Sequence, residues 1–421
     1  MNIPWNDIID RDGLSRVPEL LRVRPSDPPH QARGKRLLQV LVATLLAGLV
    51  AGGIALVQGH HVMGTTSEIS WGILIATYVF LAVSSTGLCL VSSIGHVFGF
   101  KLFEPLAKRA VFLAIVSLLM GFAVMATELE SPLKMARWIL VSPNPRAPIW
   151  WMGMFYGIYV VLIVVELFFL FKEDHRRASM AGLGSVFAAV AAYSNLGAVF
   201  GSSHARPFWY GPLLPIYFIA SALLSGAAIL MLVVTLSDFF TNDRQLKAEH
   251  APLVEGLRKL IALFLMIMVL ISVWRLVLGI SGEFTGKYEV TMAALTGPLF
   301  VSFWGFEVLL GIVVPLVLLL GPWRTSWRAS SLAAFLLMIS FFVMRVNFVY
   351  QGQMFSLKPV IGQMGERYSY QPPFKGNPEG FLAYTPSIVE VLIVAGAISA
   401  AILFFTIGLR ALRLGPKEVS T

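Results

Sequence analysis

Charge is scarce in this chain. Asp, Glu, Lys and Arg make up 13% of its 421 residues, while 57% are hydrophobic. A water-soluble domain carries about 25% charged residues, and half of that cannot cover a surface facing water. Cysteine is almost absent. Cys89 stands alone, which excludes a disulfide framework, an iron–sulfur cluster held by this chain and a cysteine-type zinc site. Histidine is sparse, with seven in all. A b-type haem inside a helix bundle needs a facing pair at membrane depth, and only His96 lies within an apolar run. No haem and no metal are therefore expected here. Also missing are a P-loop, a glycine-rich dinucleotide fingerprint, a nucleophile elbow and an HExxH pair. The chain carries no soluble catalytic domain of its own, so electrons for any redox step must come from a partner.

What is present is a series of long apolar runs. A helix needs ~20 apolar residues to cross a bilayer. Ten runs qualify, at about 37–57, 72–98, 106–127, 149–171, 178–200, 211–237, 258–280, 297–320, 327–349 and 384–409. The expected fold is an all-α polytopic membrane protein with ten transmembrane helices. The net charge of +9 does not point to nucleic acid, because Lys and Arg in a membrane protein mostly encode topology. Most of them fall in the N-terminal segment, in every second loop and at the C-terminus. Arg33, Lys35, Arg36, Lys108, Arg109, Lys172, Arg176 and Arg177 are examples. That bias predicts both termini in the cytoplasm of a bacterial inner membrane, and the even span count agrees. The first 36 residues are polar and lack an apolar core, so the first span is the expected insertion signal. The opposite loops are rich in Gly, Pro, Trp and Tyr, and residues 350–383 look like an ordered docking loop for a partner.

Ionisable groups within a membrane are expensive and usually functional. Glu128 and Glu130 end the third span on the outer side, where Pro132 stops the helix. Trp150–Trp151 and Arg206-Pro207-Phe208-Trp209 open other spans at the same depth, with His204 beside them. A carboxylate, an arginine, a histidine and flat rings at one level suit a quinone head-group. Span two carries Thr77, Ser85, Ser92 and His96 within one ~100° sector. Such a stripe serves either close helix packing or a proton path from the cytoplasm. Glu166 is a further buried acid. Arg275, Glu307 and Arg345 sit on spans seven to nine and are read either as a structural ion pair or as a proton relay.

The run Trp71 to Leu81, Glu130-Ser131-Pro132, Pro148-Ile149-Trp150-Trp151 and Arg206-Pro207-Phe208-Trp209 follow one another in an order that resembles the NrfD/PsrC family. Trp304 to Gly311 and Arg345-Val346-Asn347 resemble its ten-helix branch, which includes membrane subunits of hydrogenase, alternative complex III and menaquinone reductase complexes. The resemblance covers roughly residues 70–350. It implies two four-helix bundles, spans two to five (72–200) and six to nine (211–349), flanked by helices at 37–57 and 384–409. It implies a haemless quinone site near the outer face of the first bundle, beneath an iron–sulfur subunit. The family's site positions fall on Glu130, on Tyr78 and near Asn195, with Tyr193, Trp151, His204 and Arg206 as neighbours able to contribute.

The function so implied is that of a quinone-binding subunit of a respiratory oxidoreductase, exchanging electrons between a periplasmic four-cluster iron–sulfur subunit and menaquinone. A molybdopterin-family-like subunit and a multihaem cytochrome c are further expected partners. Glu130 and Tyr78 are the expected catalytic pair, and protons drawn from the cytoplasm would make turnover electrogenic. Two other readings are a passive membrane anchor and a secondary transporter. Two four-span halves give a parallel repeat, which speaks against the inverted-repeat form of a transporter.

Overall fold

Residues 8–24, 29–129, 131–242, 244–281, 286–355 and 381–414 of the chain are described here in a computed structural model. Ten helices among them are long and apolar enough to cross a membrane. This is an all-α integral membrane protein. In chain order the helices used below are α1 (Pro29–Gln58), α2 (Ile73–His96), α3 (Ala107–Glu128), α4 (Pro132–Val141), α5 (Pro148–Phe171), α6 (His175–Gly201), α7 (Leu214–Thr241), α8 (Ala251–Ile280), α9 (Lys287–Leu295), α10 (Val301–Leu320), α11 (Trp327–Met354) and α12 (Ile388–Ala411). Without water in the hydrocarbon layer each backbone group must be satisfied within its own segment, which only helices and closed barrels achieve.

Hydropathy places the ten spans well and their ends less well. α8 begins at Ala251 and α11 runs on to Met354, beyond the apolar stretches, because helical hydrogen bonding continues into the polar interface. Two helices between spans, α4 and α9, are too short for a ~20-residue criterion. The α4 helix is amphipathic in composition, with Leu133, Trp138 and Leu140 exposed beside Lys134 and Arg137. Local signals set several starts. Asp174 accepts from the Arg177 amide at 3.0 Å and caps α6. Ser387 and Glu390 form a capping box on α12.

α2, α3, α5 and α6 close into one bundle, and α7, α8, α10 and α11 into a second. α2 is the shared wall, packing on α7 and α11 as well as on its own bundle; 83% of its most apolar window is buried. Its run of Ser84, Ser85, Thr86 and Gly87 lets a second backbone approach. A Cβ on Gly87 would stand 1.9 Å from the Ala222 carbonyl oxygen, and one on Gly226 2.1 Å from the Gly87 carbonyl carbon. The two bundles therefore meet backbone to backbone, the close small-residue crossing common in membranes. α1 and α12 pair outside the bundles through Gly48 and Gly396 in the same manner.

The first and last described segments share one face. The Asp10 amide donates to the Ala411 carbonyl at 2.9 Å, and that of Arg413 to Ile8 at 3.1 Å. We call this the terminal face and its opposite, which carries α4, α9 and the 201–213 loop, the far face. The proposed docking loop lies mostly in 356–380, outside the described residues.

Candidate functional site

The buried face of α5 is Tyr156, Tyr159, Ile163, Glu166 and Leu170. Those positions step by three and four, so one stripe carries two phenols and an acid into the first bundle. Glu166 has no exposure. Ser185 of α6 donates to its Oε2 at 2.5 Å, and His96 Nε2 at the end of α2 lies 2.9 Å from its Oε1. The other ring nitrogen of His96 is 3.1 Å from the Ser92 carbonyl oxygen. A carbonyl only accepts, so Nδ1 carries a proton. Nε2 and Glu166 Oε1 face each other at 2.9 Å, close enough for a proton placed between them to bridge the two groups. Such a pair can take a proton from one side and release it to the other.

The column continues away from the terminal face. Cys89 Sγ is 3.4 Å from Ser185 Oγ. Because the Ser185 proton is directed at Glu166, the thiol is the donor of that contact. Tyr159, beside Cys89, has its hydroxyl 3.2 Å from Ser85 Oγ. Farther out come Thr86 and the phenols of Tyr193, Tyr156 and Tyr78, each adjoining the next. Ring centroids are 6.1 Å apart for Tyr156–Tyr193 and 6.5 Å for Tyr78–Tyr156, with Phe122 5.6 Å from Tyr156. Among the described residues the hydroxyls of Tyr156 and Tyr193 and Oγ1 of Thr86 are buried and make no hydrogen bond of good geometry. At ~1.5 Å per residue, Tyr78 lies ~8 Å and Tyr193 ~12 Å inside the far-face ends of their helices. Buried polar groups normally have partners, so two phenols and a threonine hydroxyl with free capacity, beside Tyr78, whose hydroxyl donates to Met152 Sδ at 3.8 Å, form a place able to hydrogen-bond a polar guest.

Above the phenols the far face is sealed by rings. Trp71 stacks on Trp209 with centroids 5.3 Å apart, and Phe200 meets each edge-on at 5.4 and 5.1 Å. Gln353 accepts from the Trp71 amide at 3.0 Å and donates to its carbonyl at 2.9 Å, which ties this lid to the second bundle.

The residues singled out from sequence divide into those the structure gathers and those it separates. Tyr78 and Tyr193 lie together. Ser85, His96 and Glu166 join the column. Thr77 and Ser92 turn their hydroxyls onto their own helix, at the Ile73 and Cys89 carbonyls, 2.8 and 2.9 Å away. Asn195 donates to Pro148 O at 2.7 Å and Trp151 to Pro145 O at 2.9 Å, so both secure the entry of α5. Arg206 donates to the carbonyls of Glu68 and Gln353 at 3.0 and 3.3 Å, which ties its loop to the one before α2 and to the end of α11. His204 is exposed against Tyr210. Glu130 lies outside the described residues.

Its neighbour Glu128 is 5% exposed, and neither of its carboxyl oxygens has a hydrogen-bond partner among the described residues. Close by, Glu390 accepts from Gly64 N at 2.7 Å, Ser387 N at 2.7 Å and the Tyr384 hydroxyl at 2.8 Å. Burial pushes the Tyr384 phenol well up, and its bond to Glu390 and the charge of Glu128 push it the same way.

Arg275, Glu307 and Arg345 form a separate group in the second bundle. Residues 301–313 of α10 are wound as a π-helix, a form frequent at functional sites. Glu307 within it pairs with neither arginine. Its Oε1 accepts from Asn347 at 2.6 Å, and Asn347 accepts from Ser302 at 2.8 Å. Arg345, 1% exposed, donates to Ser221 and lies over the Phe218 ring at 4.7 Å.

Sequence reasoning missed Tyr156, Tyr159, Ser185 and Cys89 as members of the column. The Tyr-x2-Tyr-x6-Glu spacing on span four was the available signal. Nothing in the sequence shows that Ser185 and Cys89 face one another.

The polysulphide reductase NrfD family matches residues 61–357. The chain belongs to this family. It is similar to a subunit of the selenate reductase of Mesobacillus selenatarsenatis, 27% identical over 68% of this chain and 74% of that one. It is similar to the Hdr-like menaquinol oxidoreductase integral membrane subunit of Archaeoglobus fulgidus, 27% identical over 90% and 94%. A protein of Halobacterium salinarum that bears the name of a dimethyl sulfoxide reductase membrane subunit is 29% identical over 90% and 92%. All three relatives carry the name of an oxidoreductase subunit. Among the described residues no cluster of three or more His, Cys, Asp or Glu is placed to hold a metal.

Proposed function

We propose that this chain is the quinone-interacting membrane subunit of a respiratory oxidoreductase complex, and that its first bundle carries protons from the terminal face to a quinone held near Tyr78, Tyr156 and Tyr193. The observation that carries the reading is the buried polar column itself. It starts at the buried His96–Glu166 pair, 2.9 Å apart, and ends at phenols with unused hydrogen-bonding capacity. A passive anchor has no need of it, since each buried polar group costs free energy unless paired.

Reduction of a quinone to its quinol takes two electrons and two protons. In this reading the electrons come from an iron–sulfur subunit docked on the far face, above the Trp71–Trp209 lid. The name of the Archaeoglobus relative favours menaquinone. The charge bias of the loops puts the terminal face in the cytoplasm, with the far face periplasmic in a bacterial inner membrane. Electrons and protons then approach from opposite sides, and each electron delivered moves one charge across the membrane. Against 100 mV that costs ~2.3 kcal/mol per charge. Glu130, at the head of the family resemblance, and Glu128, buried without a hydrogen-bond partner among the described residues, are the two acids that would serve the head-group from the far side.

The test uses the complex purified with this subunit and a soluble menaquinone analogue. Tyr78→Phe combined with Tyr193→Phe removes two hydroxyls and no ring. Turnover with the analogue should fall at least about tenfold, while electron transfer from the donor to an artificial dye remains. Undiminished quinone turnover in the double variant overturns the site.

A further inference from the structure

A second polar cavity lies in the other bundle. It has a volume of about 360 Å³ and opens at the far face between α7, α8, α9 and the π-helical part of α10. Two cations line it, Arg275 from α8 and Lys287 from the first turn of α9. Neither donates to any protein acceptor among the described residues. The Arg275 guanidinium instead lies 4.4 Å over the Tyr217 ring and 5.6 Å over that of Phe208, which fixes its plane and leaves its N–H groups for a guest. Burial holds the Lys287 ammonium below its usual range, and the positive charge of Arg275 acts in the same direction. Among the described residues the lining holds one carboxylate, Glu307, whose Oε1 is engaged by Asn347. Two cations facing a single carboxylate leave a positive charge for an anion from outside to balance.

The cavity continues into an apolar groove. Ile216 belongs to both. Below it the groove, about 170 Å³, runs between α7 and α8 along Ile219, Leu223, Phe264 and Ile271. Residues 216 to 223 cover ~10 Å of helix. Ile216 and Ile267 are 57% and 40% exposed, so the groove opens sideways to the hydrocarbon. A charged recess at the interface joined to an apolar channel one turn deeper matches a molecule with an anionic head and a hydrocarbon chain.

We propose that this site binds an anionic phospholipid of the far-face leaflet, its phosphate between Arg275 and Lys287 and one acyl chain in the groove along α7. A quinone fits the groove equally well, but its neutral carbonyls compensate neither cation. The bound lipid would hold α9 against α7 and α8, as basic pockets between membrane helices hold anionic head-groups elsewhere. It is separate from the phenol site of the first bundle, and either can fail without the other.

The experiment reconstitutes the complex in phosphatidylcholine nanodiscs doped with phosphatidylglycerol and counts retained lipids by native mass spectrometry after release. The wild type should retain phosphatidylglycerol at least about tenfold over phosphatidylcholine. Arg275→Gln with Lys287→Gln should bring that preference to within about twofold, while Lys134→Gln with Arg137→Gln, two far-face cations away from the cavity, leaves it intact. Leu223→Trp fills the groove, spares both cations and should also lose the lipid, which keeps the test valid if the double variant does not fold. Any of four results overturns the proposal. These are equal retention of the two lipids by the wild type, unchanged preference in the double variant, displacement of phosphatidylglycerol by millimolar inorganic phosphate alone, and release of a quinone in place of a phospholipid.

Discussion

Replacing Glu166 with Gln separates a proton carrier from a structural staple. The side chain keeps its length and an oxygen to accept from Ser185, now 2.5 Å away, but it cannot take or release a proton. Its amide also faces His96 Nε2, 2.9 Å from the present oxygen, and can donate there. Most of the packing therefore survives, and the loss in stability should be about 1–3 kcal/mol, the range for a perturbed buried hydrogen bond. Truncation to Ala leaves His96 and Ser185 facing an empty volume and should cost about 3–5 kcal/mol, as when one member of a buried charged pair is removed. The functional consequence of Gln is larger than its structural one. A positioned proton-transfer group contributes about 10²–10⁴-fold in rate, so quinone turnover should fall by at least about two orders of magnitude while the protein remains folded. The assay is the complex in proteoliposomes, with quinol formation and a membrane-potential dye followed together and thermal unfolding measured on the same sample. Full turnover and full potential in Glu166→Gln would refute the argument that the column carries protons. A lowered melting temperature beside normal turnover would assign Glu166 to structure alone.

Other perturbations give independent checks. Glu128→Gln and Glu130→Gln, compared in the same turnover assay, identify the far-side acid. If Glu130 serves the quinone as the family resemblance implies, its variant loses at least about tenfold and that of Glu128 less than about threefold; the reverse outcome moves the role to Glu128. Gly87→Leu places a side chain where a Cβ already meets the Ala222 carbonyl at 1.9 Å, so the bundles must part. Overpacking costs typically 1–3 kcal/mol, and the close backbone contact puts this case at or above ~3 kcal/mol, readable as a lowered unfolding temperature in detergent. Asn347→Leu removes the amide that donates to Glu307 at 2.6 Å and should destabilise the second bundle by about 1–3 kcal/mol while the first-bundle phenol site still binds quinone; loss of quinone binding would contradict the separation of the two groups.

The ten spans were legible in the sequence because a bilayer demands a length and composition that few other structures share. The ends of α8 and α11 were not, since polar interface residues extend a helix without any apolar signal. The short helices α4 and α9 fell below the span criterion for the same reason. Among the site residues, the stripe on span two showed which hydroxyls share a face, but not that Thr77 and Ser92 return theirs to their own backbone. A back-bonded serine and a relaying serine have the same spacing and differ only in rotamer. Glu166 was visible as a buried acid, but its partners Ser185 and His96 come from helices 19 and 70 positions away. The Arg275, Glu307 and Arg345 trio read as an ion pair or a proton relay, the former because buried charges usually meet their opposites. Instead Asn347 donates to Glu307, Ser221 accepts from Arg345, and the rings of Tyr217 and Phe218 lie against the arginines, an arrangement no charge pattern reveals.

The central claim is that the quinone ring lies against the phenols at the outer part of the first bundle. An azido-menaquinone analogue, photolysed in the purified complex and mapped by peptide mass spectrometry, tests it most directly. The label should fall on the segments around Tyr78, Tyr156 and Tyr193 and be competed by unmodified quinone. Labelling confined to the cavity of Arg275 and Lys287, with the three phenol segments untouched, would contradict the account.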